Sequence, residues 1–152
     1  VRVEMLSARG KYGLKAMIHL AELQGAGGIQ GAAIAEAQQI PKKFLDTILL
    51  ELKNSGLVHS KKGKGGGYSL ARPAAKISIG QIMRILDGPL AAIPCASASA
   101  YRPCVDCEDE AACQVRRLMT KVREATAEIL DGTTLASLVG TDAQKIILNY
   151  DI

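Results

Sequence analysis

Residues 61–67 read Lys-Lys-Gly-Lys-Gly-Gly-Gly, three cations and four glycines in seven positions. Such a stretch offers almost nothing to pack and costs too much backbone entropy to stay helical, so it is a turn. Before it stands Leu57-Val-His-Ser60 and after it Tyr68-Ser-Leu-Ala71, closed by Arg72-Pro73. Short apolar runs of this kind flanking a glycine turn predict a hairpin, with a strand over 57–60, the turn over 61–67 and a return strand over 68–71. The glycines allow positive φ and a close approach of backbone to a phosphate chain, while Lys61, Lys62 and Lys64 supply charge.

The rest of the chain is patterned for helices. Residues 7–24 carry a stripe of Leu14, Met17, Ile18 and Ala21, with Ser7 able to cap the start and Gly25-Ala-Gly-Gly28 to end it. Residues 31–39 predict a short helix. Residues 41–55 predict a longer one, with Pro41 at its start, a buried stripe of Leu45, Ile48, Leu49 and Leu52, and Gly56 as its stop. The tight connection through Gln39-Ile40 makes this pair a helix-turn-helix. With the basic hairpin behind it, the arrangement is a winged helix. Residues 78–87 form a further helix capped by Ser78, and Asp87-Gly-Pro89 breaks it. Residues 88–110 lack periodicity. From about residue 110 to residue 130, Val115, Leu118, Met119, Val122, Ala125 and Ile129 form one stripe, with Arg116, Lys121, Arg123, Glu124 and Glu128 opposite. A helix this long with so little chain left to pack against is expected to pair with a second copy, partly as a coiled coil. Residues 133–138 predict a short capped helix, and residues 145–150 a strand or a frayed helix.

At 152 residues the chain is one domain, or one domain with an extension. Its aromatics are Tyr12, Phe44, Tyr68, Tyr101 and Tyr150 alone, so the core must be aliphatic. Val1-Arg-Val-Glu precedes Met5, which suits a native start. No apolar run approaches the roughly 18 residues of a membrane span, and no secretory leader pattern is visible, so a cytoplasmic location with no membrane partner is expected. The first 90 residues hold 13 Lys/Arg against 6 Asp/Glu, and the remainder 6 against 9. A basic half joined to an acidic half points the first toward a polyanion. The glycines do not match either common nucleotide-binding loop, which favours a DNA wing over a phosphate cradle.

All four cysteines, Cys95, Cys104, Cys107 and Cys113, fall within nineteen residues of the aperiodic segment and its edge. Thiols placed for packing would be dispersed, so metal, cluster or redox chemistry is expected here. Four thiolates suit a [2Fe–2S] or [4Fe–4S] cluster. They also suit structural zinc. Without a metal, Cys104 and Cys107 could form a disulfide under oxidant. Asp106, Glu108, Asp109 and Glu110 would raise thiol pKa values, which counts modestly against peroxide-reactive thiolates. An enzyme is not expected, since Cys-x-x-Cys lacks a βαβ context and His19 and His59 offer no convincing base.

Several stretches together resemble the Rrf2 family of bacterial winged-helix regulators. They are Met5-Leu-Ser-Ala-Arg-Gly-Lys-Tyr-Gly-Leu-Lys-Ala16, Leu52-Lys-Asn-Ser-Gly-Leu-Val58, Lys62-Gly-Lys-Gly-Gly-Gly-Tyr-Ser-Leu-Ala-Arg-Pro73, Ile79-Gly-Gln-Ile-Met-Arg-Ile-Leu-Asp-Gly88 and Thr134-Leu-Ala-Ser-Leu138. The resemblance implies a homodimer crossed through the long helix. The helix from Pro41 would enter the major groove, and the wing the minor groove, of an imperfect palindrome in double-stranded DNA. It implies a transcriptional regulator, a repressor by expectation, sensing iron–sulfur, redox or nitric oxide status. Cluster-bearing members use three cysteines, which fall on Cys95, Cys107 and Cys113, the last opening the long helix. Two departures stand out. Cys104 is extra, and the fourth-ligand positions of such members fall on Arg116 and Lys11, neither an ordinary ligand. Either Cys104 completes a four-thiolate set or the site is not a conventional cluster.

The expected organisation is therefore mainly α with a small β-hairpin wing. Residues 1–90 form the winged helix-turn-helix, 91–110 the cysteine-bearing sensor loop, and 111–152 the dimerisation helix and tail. Lys42, Lys43 and Thr47 are placed to read bases or phosphates, because a recognition helix leads with its N-terminus. Arg9 is placed to hold phosphate, and Lys61, Lys62, Lys64 and Tyr68 to form the wing contact. Replacing Lys62 and Lys64 together by Ala should weaken binding to all DNA sequences and flatten its salt dependence, measured by anisotropy titration over a salt series.

Overall fold

The computed structural model describes residues 5–139, in which the six helices and one hairpin follow the expected order. They are α1 (Ala8–Glu22), α2 (Gly31–Gln38), α3 (Lys42–Asn54), β1 (Val58–Lys61), β2 (Gly67–Leu70), α4 (Ile79–Asp87), α5 (Gln114–Gly132) and α6 (Leu135–Val139), with 3-10 turns at Ala74–Lys76 and Pro94–Ala96. The expected element over 145–150 lies outside the described residues. No helix among the described residues is long and apolar enough to cross a membrane.

Helix α1 is the central element, packed by α2, α3, α4, α6 and β2. Ser7 caps it, its Oγ accepting from the Gly10 N–H at 3.0 Å. The α3 stripe Leu45, Ile48, Leu49 and Leu52 is buried, joined by Met17, Leu20, Ile34, Leu57, Ile77 and Ile82. The core is thus aliphatic. Gly13 lets Leu86 of α4 lie directly against α1, since a Cβ there would strike the Leu86 side chain. Helix α4 opens on a capping box, Ser78 with Gln81, at 3.2 and 3.1 Å.

The hairpin keeps the expected register, pairing Val58 with Leu70 and Lys61 with Gly67, with both strands placed one residue nearer the turn than expected. Lys61 therefore ends β1 instead of opening the turn. A third backbone segment joins the hairpin. Ile29, in the loop after α1, exchanges two hydrogen bonds with Tyr68, at 2.9 and 2.7 Å. Gly67, at φ +125°, faces the Ile29 backbone so closely that any side chain would collide with it. The wing is thereby fastened to the helix-turn-helix instead of projecting freely.

Helix α5 begins at Gln114, later than the expected residue 110, with Cys113 as N-cap. Just before it, the Asp109 carboxylate accepts from the N–H groups of Ala111 and Ala112 at 3.0 and 3.4 Å across a turn. At its other end α5 is tied to α4 by a two-pronged Arg84–Asp131 ion pair at 2.6 and 2.9 Å. This pair holds the Asp131 carboxyl below its ordinary range and the Arg84 guanidinium above its own.

After α5 the chain returns to the core. The Leu135 N–H donates to the Ile77 carbonyl at 3.0 Å, and the Ile79 N–H to the Thr133 carbonyl at 2.8 Å. Leu135 is fully buried among the core residues. A segment expected to serve dimerisation thus also supplies a core side chain to the winged unit. Leu135→Ala should cost about 2–5 kcal/mol of stability, read as a lower urea midpoint.

Candidate functional site

Two regions collect the residues singled out by the sequence. The first is the surface formed by α3 and the wing. Burial of one α3 stripe leaves Lys42, Lys43, Phe44, Asp46, Thr47 and Leu50 exposed. Lys42 is not a free charge, since its ammonium is bonded to Asp46 one turn on. Lys43 stands exposed. The Thr47 hydroxyl donates to the Lys43 carbonyl at 3.3 Å, which leaves its oxygen lone pairs open. Arg9 lies beside α3, ion-paired with Glu51, and its Nε is buried without a hydrogen-bond partner. Lys61, Lys62 and Lys64 are all exposed on the wing. Tyr68 differs from them: it is half-buried, packs against the core, and its backbone anchors the wing to Ile29.

Because α3 and the wing are tied to one core, this surface presents cations in a fixed arrangement suited to a phosphate backbone. The sequence did not signal the Ile29–Tyr68 pairing, because backbone hydrogen bonds leave no residue signature. His19 bonds Gln38 at 3.2 Å, an ordinary structural contact.

The second region is the cysteine segment. Cys95 is buried in the Pro94–Ala96 turn, which packs against α5. Two arginines of α5 hold this turn. The Arg116 Nε donates to the Cys95 carbonyl at 2.9 Å, and Arg123 donates to the Ala96 carbonyl at 2.5 Å. One of the two positions implied for a fourth ligand, Arg116, is therefore committed to the backbone of a cysteine. The other, Lys11, is exposed on α1.

Cys104 lies exposed, its Sγ donating to the Asp106 carboxylate at 2.9 Å. That bond raises the Cys104 thiol pKa and lowers that of Asp106. Cys107 and Cys113 are half-buried neighbours. Partial desolvation raises the Cys107 thiol, and Cys113 and Glu110 add to the shift. The Cys113 Sγ accepts from the Arg116 N–H at 3.4 Å as the α5 cap. All four thiols are free. Among the described residues no three His, Cys, Asp or Glu side chains converge as a metal-binding group. The four cysteines thus share a segment without forming a ligand set in this arrangement.

Helix α5 presents a second face. Val115, Leu118, Val122 and Ile129 are exposed, and with Ala125 they repeat at alternating three- and four-residue steps. That is the seam spacing of a two-stranded coiled coil.

Residues 6–141 match the family model described as Rrf2, iron-dependent transcriptional regulator. An rrf2-like HTH-type transcriptional regulator of Rhodobacter capsulatus is 39% identical over 148 residues, covering 94% of this chain and 99% of the relative. The structure of CymR, the global cysteine regulator of Bacillus subtilis, superposes with a TM-score of 0.73 at 34% identity, covering 88% of this chain and 95% of the other. The IscR structure from T. potens gives 0.69 at 30% identity, with 93% and 87% covered.

Access to the four thiols differs enough to measure. In reduced, metal-free protein, limiting iodoacetamide should label Cys104 first and Cys95 last, read by peptide mass mapping. Because its pKa is raised, Cys104 should need a higher pH than an ordinary thiol to reach its full labelling rate.

Proposed function

Because the chain belongs to the Rrf2 family of transcriptional regulators, we propose that it acts as a homodimer whose operator affinity is set by the state of its cysteine segment. The organisation is a winged DNA-binding unit over 1–90, a sensor loop over 91–110, and a dimerisation region over 111–152. Lys43, Thr47 and the wing lysines contact an imperfect palindrome, and the exposed α5 seam pairs two chains. The observation that carries this reading is the tether between the two regions. Arg116 and Arg123 bind the cysteine-bearing turn to α5, and Arg84–Asp131 binds α5 to α4. Helix α4 in turn packs on α1 and α3. A chemical change at the cysteines that displaced the turn would shift α5 relative to the recognition helix. A few kcal/mol of difference between two arrangements is enough to change occupancy substantially.

Two chemistries compete for the sensing step. The free thiols, with Cys107 and Cys113 side by side, support a metal-free thiol–disulfide switch, and the likeness to CymR, named a global cysteine regulator, agrees with it. The likeness to IscR and the iron-dependent description of the family support an iron–sulfur cluster, with Cys95, Cys104, Cys107 and Cys113 as donors after the loop closes up. Structural zinc would draw on the same donors.

Protein purified without oxygen should be examined by visible absorption with iron, sulfide, zinc and thiol analysis, beside DNA affinity. Iron with acid-labile sulfide selects the cluster, and zinc the structural site. Neither metal after attempted reconstitution, with two thiols lost on mild oxidation and a change in DNA affinity, selects the switch. DNA affinity unmoved by cluster, zinc or oxidation would sink the sensing reading and leave a constitutive DNA-binding protein.

A further inference from the structure

The core of this protein is aliphatic, and the aromatic ring nearest the DNA-facing surface is left out of it. Phe44 is 55% exposed, the third residue of α3, where a recognition helix reaches furthest into a groove. Its neighbours at 45, 48, 49 and 52 are buried, so the helix has no need of Phe44 for its own packing. The ring is nonetheless fixed. Tyr12 of α1 meets it edge-on, with centroids 6.2 Å apart and planes at 66°. With Arg9, Lys43, Thr47 and Ile48 it lines an open cleft of about 260 Å³.

An exposed, oriented ring beside cations calls for an apolar partner carried on a polyanion. In the major groove that partner is the 5-methyl group of thymine, the principal apolar feature of the base edges. A second copy of this chain is not the natural occupant, because the apolar seam for that contact lies on α5, not α3. We infer that Phe44 is a specificity residue that packs on a thymine methyl in each operator half-site, with Lys43 and Thr47 fixing the helix around it. This deepens the DNA-binding reading and rests on it.

The effect separates from fold and charge because the reacting feature is one methyl group. Duplexes are first enriched from a random pool by the full-length protein purified without oxygen. Each thymine of the enriched half-site is then replaced singly by deoxyuridine, which removes only the methyl. Affinities are measured for the wild type, Phe44→Leu and Phe44→Ala. At one position the wild type should lose about fourfold per half-site on demethylation, the scale of one buried methyl-sized group. Phe44→Ala should bind more weakly and be indifferent to the methyl there, with sensitivity to the other thymines unchanged. Phe44→Leu should keep part of the dependence.

A ring that only braces Tyr12 would weaken binding to every duplex alike and leave the methyl dependence intact, which overturns the assignment. So would an enriched site with no methyl dependence at all, the result expected if the ring meets a protein partner instead. If the wild type enriches no duplex, the DNA-binding reading falls and this inference with it. If it enriches one but Phe44→Ala retains every methyl effect, only this inference falls.

Discussion

Burial of one stripe of α3 is the interaction on which the rest depends. Leu45, Ile48, Leu49 and Leu52 sink into the aliphatic cluster around α1, and helical periodicity then turns Lys43, Thr47 and Phe44 outward together. Each large apolar side chain of that stripe contributes roughly 1.5–3 kcal/mol on burial. Exposed ion pairs such as Lys42–Asp46 contribute at most about 1 kcal/mol. The orientation of the proposed DNA-facing surface is therefore decided by the core, and the surface charges adapt to it. The Ile29–Tyr68 backbone pairing extends the same logic to the wing, whose lysines stay in register with α3 because β2 is fastened at its outer edge.

Much of this was legible in the sequence because it rests on local, periodic or compositional signals. The helix stripes, the Ser7 and Ser78 caps, the glycine turn and the Rrf2 resemblance all fall in that class. What was not legible rests on contacts between distant residues. The third strand-like segment of the wing comes from Ile29, about forty residues before its partner Tyr68. The late start of α5, after a turn in which Asp109 takes the N–H groups of Ala111 and Ala112, is not written in the apolar period. Leu135 reads as part of a short terminal helix, and nothing in its neighbourhood announces that it completes the core of the first half. At the candidate site, the clustering of the cysteines was plain, but the burial of Cys95 and the exposure of Cys104 were not. Sequence proximity constrains side chains only weakly across an aperiodic loop of this length.

The arginines of α5 illustrate a second limit. On the sequence, Arg116 and Arg123 read as the solvated face of an amphipathic helix. In the structure both point inward to backbone carbonyls, of Cys95 and Ala96. A guanidinium suits this role because its several donors can satisfy buried carbonyls while its stem covers apolar surface. The arginines thus serve the Cys95 and Ala96 carbonyls, while the Pro94 carbonyl is taken by backbone N–H groups, and an unmade buried hydrogen bond costs about 1–3 kcal/mol.

Under the proposed sensing role, Arg116 is the residue where the chemistry of the cysteines and the geometry of α5 meet. Its side chain holds the carbonyl of Cys95, and its backbone N–H is capped by the sulfur of Cys113. Any chemistry that takes the Cys113 sulfur, whether a disulfide or a metal bond, competes with the cap at the first turn of α5. Any chemistry that draws Cys95 out of its turn breaks the side-chain bond. Both events act on one residue of one helix, and that helix is joined to α4 at its far end by Arg84 and Asp131. A rigid lever of nineteen residues loaded at one end and anchored at the other needs no continuous chain of polar contacts to carry a displacement. On the proposed reading, the cysteines would thus bias DNA binding from a distance through α5 moving as a unit.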